Sequence, residues 1–232
     1  MRKKKVKKKS KKVKKYGIPI ELKWIPFKEL VNPERLCFDY YPTSRSKALE
    51  TRSFVNSRPL STIKSTTLEA LRLSIEKYGL LNPLKVVPLE GKLKEQIDFL
   101  IDPNIEIYDW EKYVIIDGQR RYFAIRKIIC PPKWVIAYQL RQQGMTDPQE
   151  KQIELARIQY YKGVEVLCEV YPYYSISLCV RHSVEDNKFS VRPSREYLDS
   201  AERETEILEE KIELCKKKKI PKSLARILWF QR

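Results

Sequence analysis

No apolar run in this chain approaches the roughly 18 residues that a membrane-spanning helix requires, and the sequence starts on lysines rather than on a secretory apolar segment. The five cysteines, Cys37, Cys130, Cys168, Cys179 and Cys215, are scattered without a CxxC pair, and His182 is the single histidine. That inventory offers neither a structural zinc site nor a disulfide framework. The cysteines therefore read as small buried apolar residues in a reducing, intracellular setting. No internal repeat is visible. What remains is a soluble chain of 232 residues whose 42% hydrophobic content suffices for one packed core with appendages.

Acids are also in short supply, 30 against 47 Lys plus Arg, which leaves a net charge of +17. Arg2 to Lys15 alone carries eleven of those positive charges, so about +6 is left for everything else. The lysines in question are Lys3, Lys4, Lys5, Lys7, Lys8, Lys9, Lys11, Lys12, Lys14 and Lys15. Such a run cannot bury apolar surface and repels itself, so residues 1–17 are expected to form a disordered basic tail. Each lysine near a phosphate can release a condensed counterion, so nucleic acid is the expected partner. An anionic membrane suits the run less well, because it has no apolar face to insert.

Periodicity organises the rest. Ile18 to Leu30 alternates partially and carries two prolines, as a short edge strand and a turn would. Val31 to Ser65 is rich in Pro, Ser, Thr and Arg and reads as a long surface loop. Leu68, Leu71 and Ile75 recur at helical spacing, with Ser65, Thr66 or Thr67 as a cap and Gly79 as a stop. A strand follows at Leu84 to Val87. Gly91 to Asp109 is polar and reads as an irregular insertion before a second strand, Tyr113 to Ile116. Tyr122 to Ile129 suits a helix that ends before Pro131 and Pro132. Trp134 to Leu140 fits strand or helix, and LARIQYYKG is ambiguous. VEVLCEVYP alternates as a strand, YYSISLCVRHSVEDN suits a helix leading out of it, and Ser194 to Lys219 a long amphipathic helix. Ile220 to Arg232 reads as a short basic helix whose aromatics, Trp229 and Phe230, suit docking on the core better than stacking on bases.

The stretch VIIDGQRRYFAIRKI places Asp-Gly and two adjacent arginines at the mouth of a strand-to-helix turn. With LRLSIEKYGLLNPLKVVP before it, IPFKEL at the start and SVEDNKFSVRPSREY later, this order resembles the N-terminal domain of the ParB family, within the ParB/sulfiredoxin superfamily. The resemblance covers roughly residues 18–204. It implies an α+β fold, a small mixed sheet flanked by helices; the chain's own pattern adds insertions near 31–65 and 91–109, a basic N-terminal tail and a helical extension over 205–232. The resemblance also implies a site. Gly79, Asn82 and Pro83 would line the base and ribose of a nucleotide, CTP or ATP with Mg2+. The turn Asp117, Gly118, Gln119, Arg120 and Arg121 would wrap its phosphates at a helix N-terminus. Glu185 and Asn187 would stand for the acid and amide that hold the metal, and Gln119 and Glu185 for the residues nearest to catalysis.

The departures are specific. Gln119 stands where the family has glutamate, which removes a charge that could serve as base or metal ligand. Glu185 and Asn187 are one residue too far apart, and Ser190 replaces the expected arginine. Only Tyr197 to Arg232 follows, which is too short for a complete helix-turn-helix reader of DNA. The expected function is a ParB-like nucleotide-binding module associated with DNA more than with RNA. It would be cytoplasmic or nucleoid-associated, as a homodimer or beside a partner that supplies specificity. A nuclease using Asp117 and Glu185, a small-molecule kinase with Glu76, Asp117 or Glu185 as its acid, and a structural component of a nucleic-acid assembly are the alternatives. Sulfiredoxin chemistry drops out, since it needs a cysteine in the phosphate turn.

Overall fold

The structure, a computed structural model, describes residues 11–15, 18–40, 50–57, 60, 65–187, 195–221 and 224. In chain order these form β1 (Lys11–Lys15), β2 (Ile18–Pro26), two 3-10 turns (Phe27–Glu29 and Pro33–Leu36), β3 (Cys37–Tyr40), β4 (Glu50–Ser53), α1 (Ser65–Tyr78), β5 (Leu84–Pro88) and α2 (Gly91–Leu100). They continue with β6 (Tyr113–Asp117), α3 (Gln119–Ile129), α4 (Lys133–Gln142), α5 (Glu150–Tyr161), β7 (Glu165–Val170), α6 (Ile176–Asn187) and α7 (Arg195–Lys217). The class is α+β, as expected, with a mixed sheet in the order β1-β2-β7-β5-β6 and a separate β3-β4 pair. Among the named strands β5 and β7 pair in parallel and the other pairs are antiparallel; outside them, Leu30 bridges Tyr113 in parallel.

Alternation along the inner strands sends side chains into two cores. Leu84, Val86, Ile115 and Cys168 point to one face, where Tyr122 and Ile125 of α3, Ile136 of α4 and Ile153 of α5 cover them. Val87, Val114 and Ile116 point to the other, under Ile97 of α2, Val180 of α6 and Ile212 of α7. Both faces of the central strands are therefore dry, which is why β5 and β6 are almost continuously apolar. Leu68–Lys77 and Tyr122–Ile128 are helical, and Leu84–Val87 and Tyr113–Ile116 are paired strands, as the sequence predicts. No helix among the described residues is long and apolar enough to cross a membrane.

Several segments differ from the sequence reading. Lys11–Lys15, expected in a disordered tail, pairs antiparallel with Ile18–Leu22. An extended backbone loses less by ordering when a neighbouring strand accepts its hydrogen bonds, and lysines on an outermost strand discourage further pairing. β2 is accordingly interior rather than an edge. The 91–109 stretch is not an irregular insertion: its first ten residues are α2, with Leu93, Ile97 and Leu100 buried at helical spacing. Its polar appearance comes from Lys92, Lys94 and Glu95, which stay exposed on the outer side. Within the expected 31–65 loop, Val31, Leu36, Phe54 and Val55 are almost wholly buried. Arg52 is buried with them, stacked over Phe38 and hydrogen-bonded to Asn56 O and Thr205 Oγ1.

The open segments resolve as helices. Trp134–Leu140 belongs to α4, and the LARIQYY stretch to α5. α7 runs without a break through 204/205, the expected start of an extension, and buries Ala201, Thr205, Ile212 and Cys215. Apart from Ile220, Pro221 and Leu224, the expected C-terminal basic helix, including Trp229 and Phe230, lies outside the described residues. Because Leu93 is fully buried in the same cluster as the sheet, Leu93→Ala should cost about 2–5 kcal/mol of unfolding free energy. Lys92→Ala, on the exposed side, should stay within about 0.5 kcal/mol. Urea denaturation of the two variants measures the difference, and equal effects would contradict a core role for α2.

Candidate functional site

β6 ends at Asp117, and Gly118 turns the chain into α3 with φ +96, a left-handed conformation that side chains other than glycine rarely adopt. Space forbids a side chain there as well. A Cβ at Gly118 would sit 2.8 Å from Leu84 Cδ2 and 3.1 Å from Arg121 Nε. One turn into the helix, the Arg121 guanidinium reaches back over the strand ends. Its Nη1 donates to Asn82 O at 2.9 Å and also to Pro83 O, and its Nη2 meets Asp117 Oδ2 at 2.9 Å. The two segments singled out in the sequence, 79–83 and 117–121, are thus brought together, and Arg121 is what joins them.

That geometry divides the expected phosphate-binding residues by role. Arg121 is already committed to two carbonyls and a carboxylate of the protein. Arg120, beside it, is half-buried. Gln119 is 6% exposed, and its side-chain Nε2 has no hydrogen-bond partner. The first hydrogen bond of the helix runs from Tyr122 N to Gly118 O, so the N–H groups of Gln119, Arg120 and Arg121 precede the ladder. Gly118 has no side chain to cap them. Gly79 closes α1 with its N–H on Ile75 O at 2.9 Å and stands with Asn82 on the exposed rim of the same end.

α6 delivers its C-terminal end to this edge of the sheet through a contact the sequence reading did not foresee. Lys85, the cross-strand neighbour of Asp117, pairs with Asp186. His182 Nε2 lies 3.1 Å from the same carboxylate, without the alignment of a directed hydrogen bond. The other ring nitrogen, Nδ1, is 3.0 Å from Tyr173 Oη, and Tyr171 packs its ring 4.4 Å from the imidazole. The available signal was the i, i+4 spacing of His182 and Asp186. Glu185 is exposed beside this cluster, and the side chain of Asn187 lies outside the described residues. Among the described residues no group of three His, Cys, Asp or Glu side chains could hold a metal. Lys3, Lys4, Lys5, Lys7, Lys8 and Lys9 also lie outside the description, whereas Lys11, Lys12, Lys14 and Lys15 are in β1. The five cysteines are unpaired, and burial pushes the Cys37 and Cys168 thiols up to about 12, away from nucleophilic use.

Compared with known proteins, the chain matches no family model, no curated sequence and no solved structure.

Burial alone would raise the Asp186 pKa, but contacts with His182 and Lys85 outweigh it and hold the carboxyl down at about 2. A carboxyl depressed in the folded state adds stability that is complete above its unfolded pKa and is lost as pH falls through the folded one. Unfolding free energy should therefore fall between about pH 4 and pH 2, and Asp186→Asn should flatten that limb. Denaturant unfolding across this range checks it; an equally steep limb in the variant would remove Asp186 as its cause.

Proposed function

We propose that the chain is a ParB-like nucleotide-binding module that works on or beside nucleic acid, DNA in preference to RNA. The nucleotide, CTP or ATP, sits where the 79–83 loop meets the N-terminus of α3. One observation carries the reading: three first-turn amides without a cap lie beside Gln119, whose buried side-chain amide lacks a partner. A helix N-terminus of this kind favours an anion through its N–H groups and its dipole. The strand-turn-helix order around Gly118 is that of the resemblance, and so is its convergence with Asn82 and Pro83.

The residues fit a nucleotide triphosphate in a particular way. Arg120 is the guanidinium assigned to the phosphates, with Gln119 offering an amide in place of a carboxylate. Magnesium, where present, would come with the phosphates and neutralise them. Asp117 is engaged by Arg121, so Glu185 and Asn187 are the acid and amide assigned to the ion. The charge balance supports the nucleic-acid half of the proposal, since the net +17 is concentrated near the start of the sequence.

A thermal-shift panel of CTP, ATP, GTP and UTP, with and without magnesium, tests the first half. At a hundredfold excess over its dissociation constant, the bound nucleotide should add about 2.7 kcal/mol of stability. Arg120→Ala should lose that shift while keeping the melting point of the free protein. Arg121→Ala should instead lower the melting point without nucleotide, since it leaves Asn82 O, Pro83 O and Asp117 without their donor. Failure of every nucleotide to shift the transition would reject the reading.

The second half is tested by removing residues 2–10, which carry seven positive charges but leave β1 in place. Lysines and an arginine without base-reading side chains contact phosphates and specify no sequence. The truncated protein should bind two unrelated duplexes more weakly by similar factors. Its log-log salt slope should flatten by roughly 0.9 for each phosphate that the deleted residues neutralise. An unchanged slope would return polyanion binding to the folded part.

A further inference from the structure

A cavity of about 630 Å³ lies along the C-terminal half of α3, away from the Gly118 turn. α1 lends it Leu68 and Arg72, α3 lends Phe123, Arg126 and Lys127, and Pro131 closes one end. The volume is that of a small-molecule site. Arg157 lines it as well, and two carboxylates, Glu34 and Glu69, stand among these cations.

The guanidinia beneath it are more deeply buried than the acids that meet them. Arg126 and Arg157, both lining the cavity, are 8% and 6% exposed, and both turn to the same half-buried carboxylate, Glu154, at 2.9 Å and 3.2 Å. Close by, Arg35 is paired with its own buried acid, Glu111, and contributes no spare negative charge. The second acid on Arg126 is Glu34 at 3.3 Å, whose side chain is 51% exposed and so screened by water. Two buried guanidinia thus share one half-buried carboxylate, an arrangement whose desolvation cost an additional anion would offset. An unsatisfied group marks the same place: Arg157 uses Nη1 on Glu154 while its buried Nε has no acceptor. At the rim, Arg72 is held by Glu69 and Glu76, and Lys127 makes no ion pair among the described residues.

We propose that this cavity is a binding site for a small organic anion, a carboxylate or phosphate head on an apolar body. The head sits toward Arg126 and Arg157 under the rim cations, and the body lies against Leu68, Phe123 and Pro131. The site is separate from the nucleotide cleft, and its occupancy does not depend on nucleotide binding.

Calorimetric titration of the full-length chain with phenyl phosphate, benzoate and inorganic phosphate tests it. At least one aromatic anion should bind saturably and about tenfold tighter than inorganic phosphate, because the ring adds buried apolar area. Comparing phenyl phosphate with benzoate identifies the head group. Arg72→Gln and Lys127→Gln, both at the exposed rim where folding is not at risk, should each weaken binding by about tenfold. Arg141→Gln, a cation on α4 outside the cavity, should leave it unchanged. Two results would overturn the proposal: no saturable binding of either aromatic anion, or undiminished affinity in the doubly substituted rim variant. Loss of the anion in Arg120→Ala together with its retention in the rim variant would move it to the α3 N-terminus and reject this site.

Discussion

A single guanidinium, that of Arg121, holds the end of the sheet together. It spans three partners from two segments that are more than thirty residues apart in sequence, and each partner is a group that would otherwise need water. Because its Nη atoms are spent on Asn82, Pro83 and Asp117, the loop before β5 and the turn after β6 keep one relative position. Gly118 is the counterpart of that clamp. Its missing side chain lets Leu84 and Arg121 close over the turn. The backbone at the start of α3 is therefore preorganised, with its free amides and the half-buried Arg120 set beside the buried side chain of Gln119 rather than on a flexible loop.

Charge in this protein is segregated by depth. Near the start of the sequence it is almost purely positive, and Lys11, Lys12, Lys14 and Lys15 stand on an outermost strand, where lysine discourages pairing with another strand. Inside, positive groups are held by contact: Arg52 over Phe38, Arg35 on Glu111, and Arg126 and Arg157 together on Glu154. The two populations do different work. Surface lysines act at long range and respond to salt, whereas buried guanidinia act at contact distance and hardly feel it.

The elements that could be foretold are those whose periodicity is unbroken. α1, β5, β6 and α3 follow from Leu68, Leu71 and Ile75, from the apolar runs at 84–87 and 113–116, and from the Asp-Gly turn. α2 escaped because its buried Leu93, Ile97 and Leu100 are diluted by lysines and acids on the outer side, so composition suggested a loop where spacing carried a helix. β1 escaped for a different reason. Nothing local favours KKVKK as a strand; its partner β2 does, and pairing is not written in a segment's own composition. Within the site, the glycine and the arginines were legible, yet the different duties of Arg120 and Arg121 were not, since both look alike until Asn82 and Pro83 are placed. Asp186 was legible only as a spacing from His182, because its contact with Lys85 bridges 101 residues.

The position of β7 has a consequence for how the chain assembles. It lies between β2 and β5, with Glu21 opposite Val170 and Leu84 beside Cys168. On a ribosome, the β1-β2 hairpin emerges early but has no neighbour to join until residues near 170 have been synthesised, while β5 and β6 can already pair with each other. A long-range parallel and antiparallel closure of this kind raises contact order and slows folding. During that interval the far edge of β2 is uncovered, and the lysines of β1 are residues that disfavour pairing of such a hairpin with another chain.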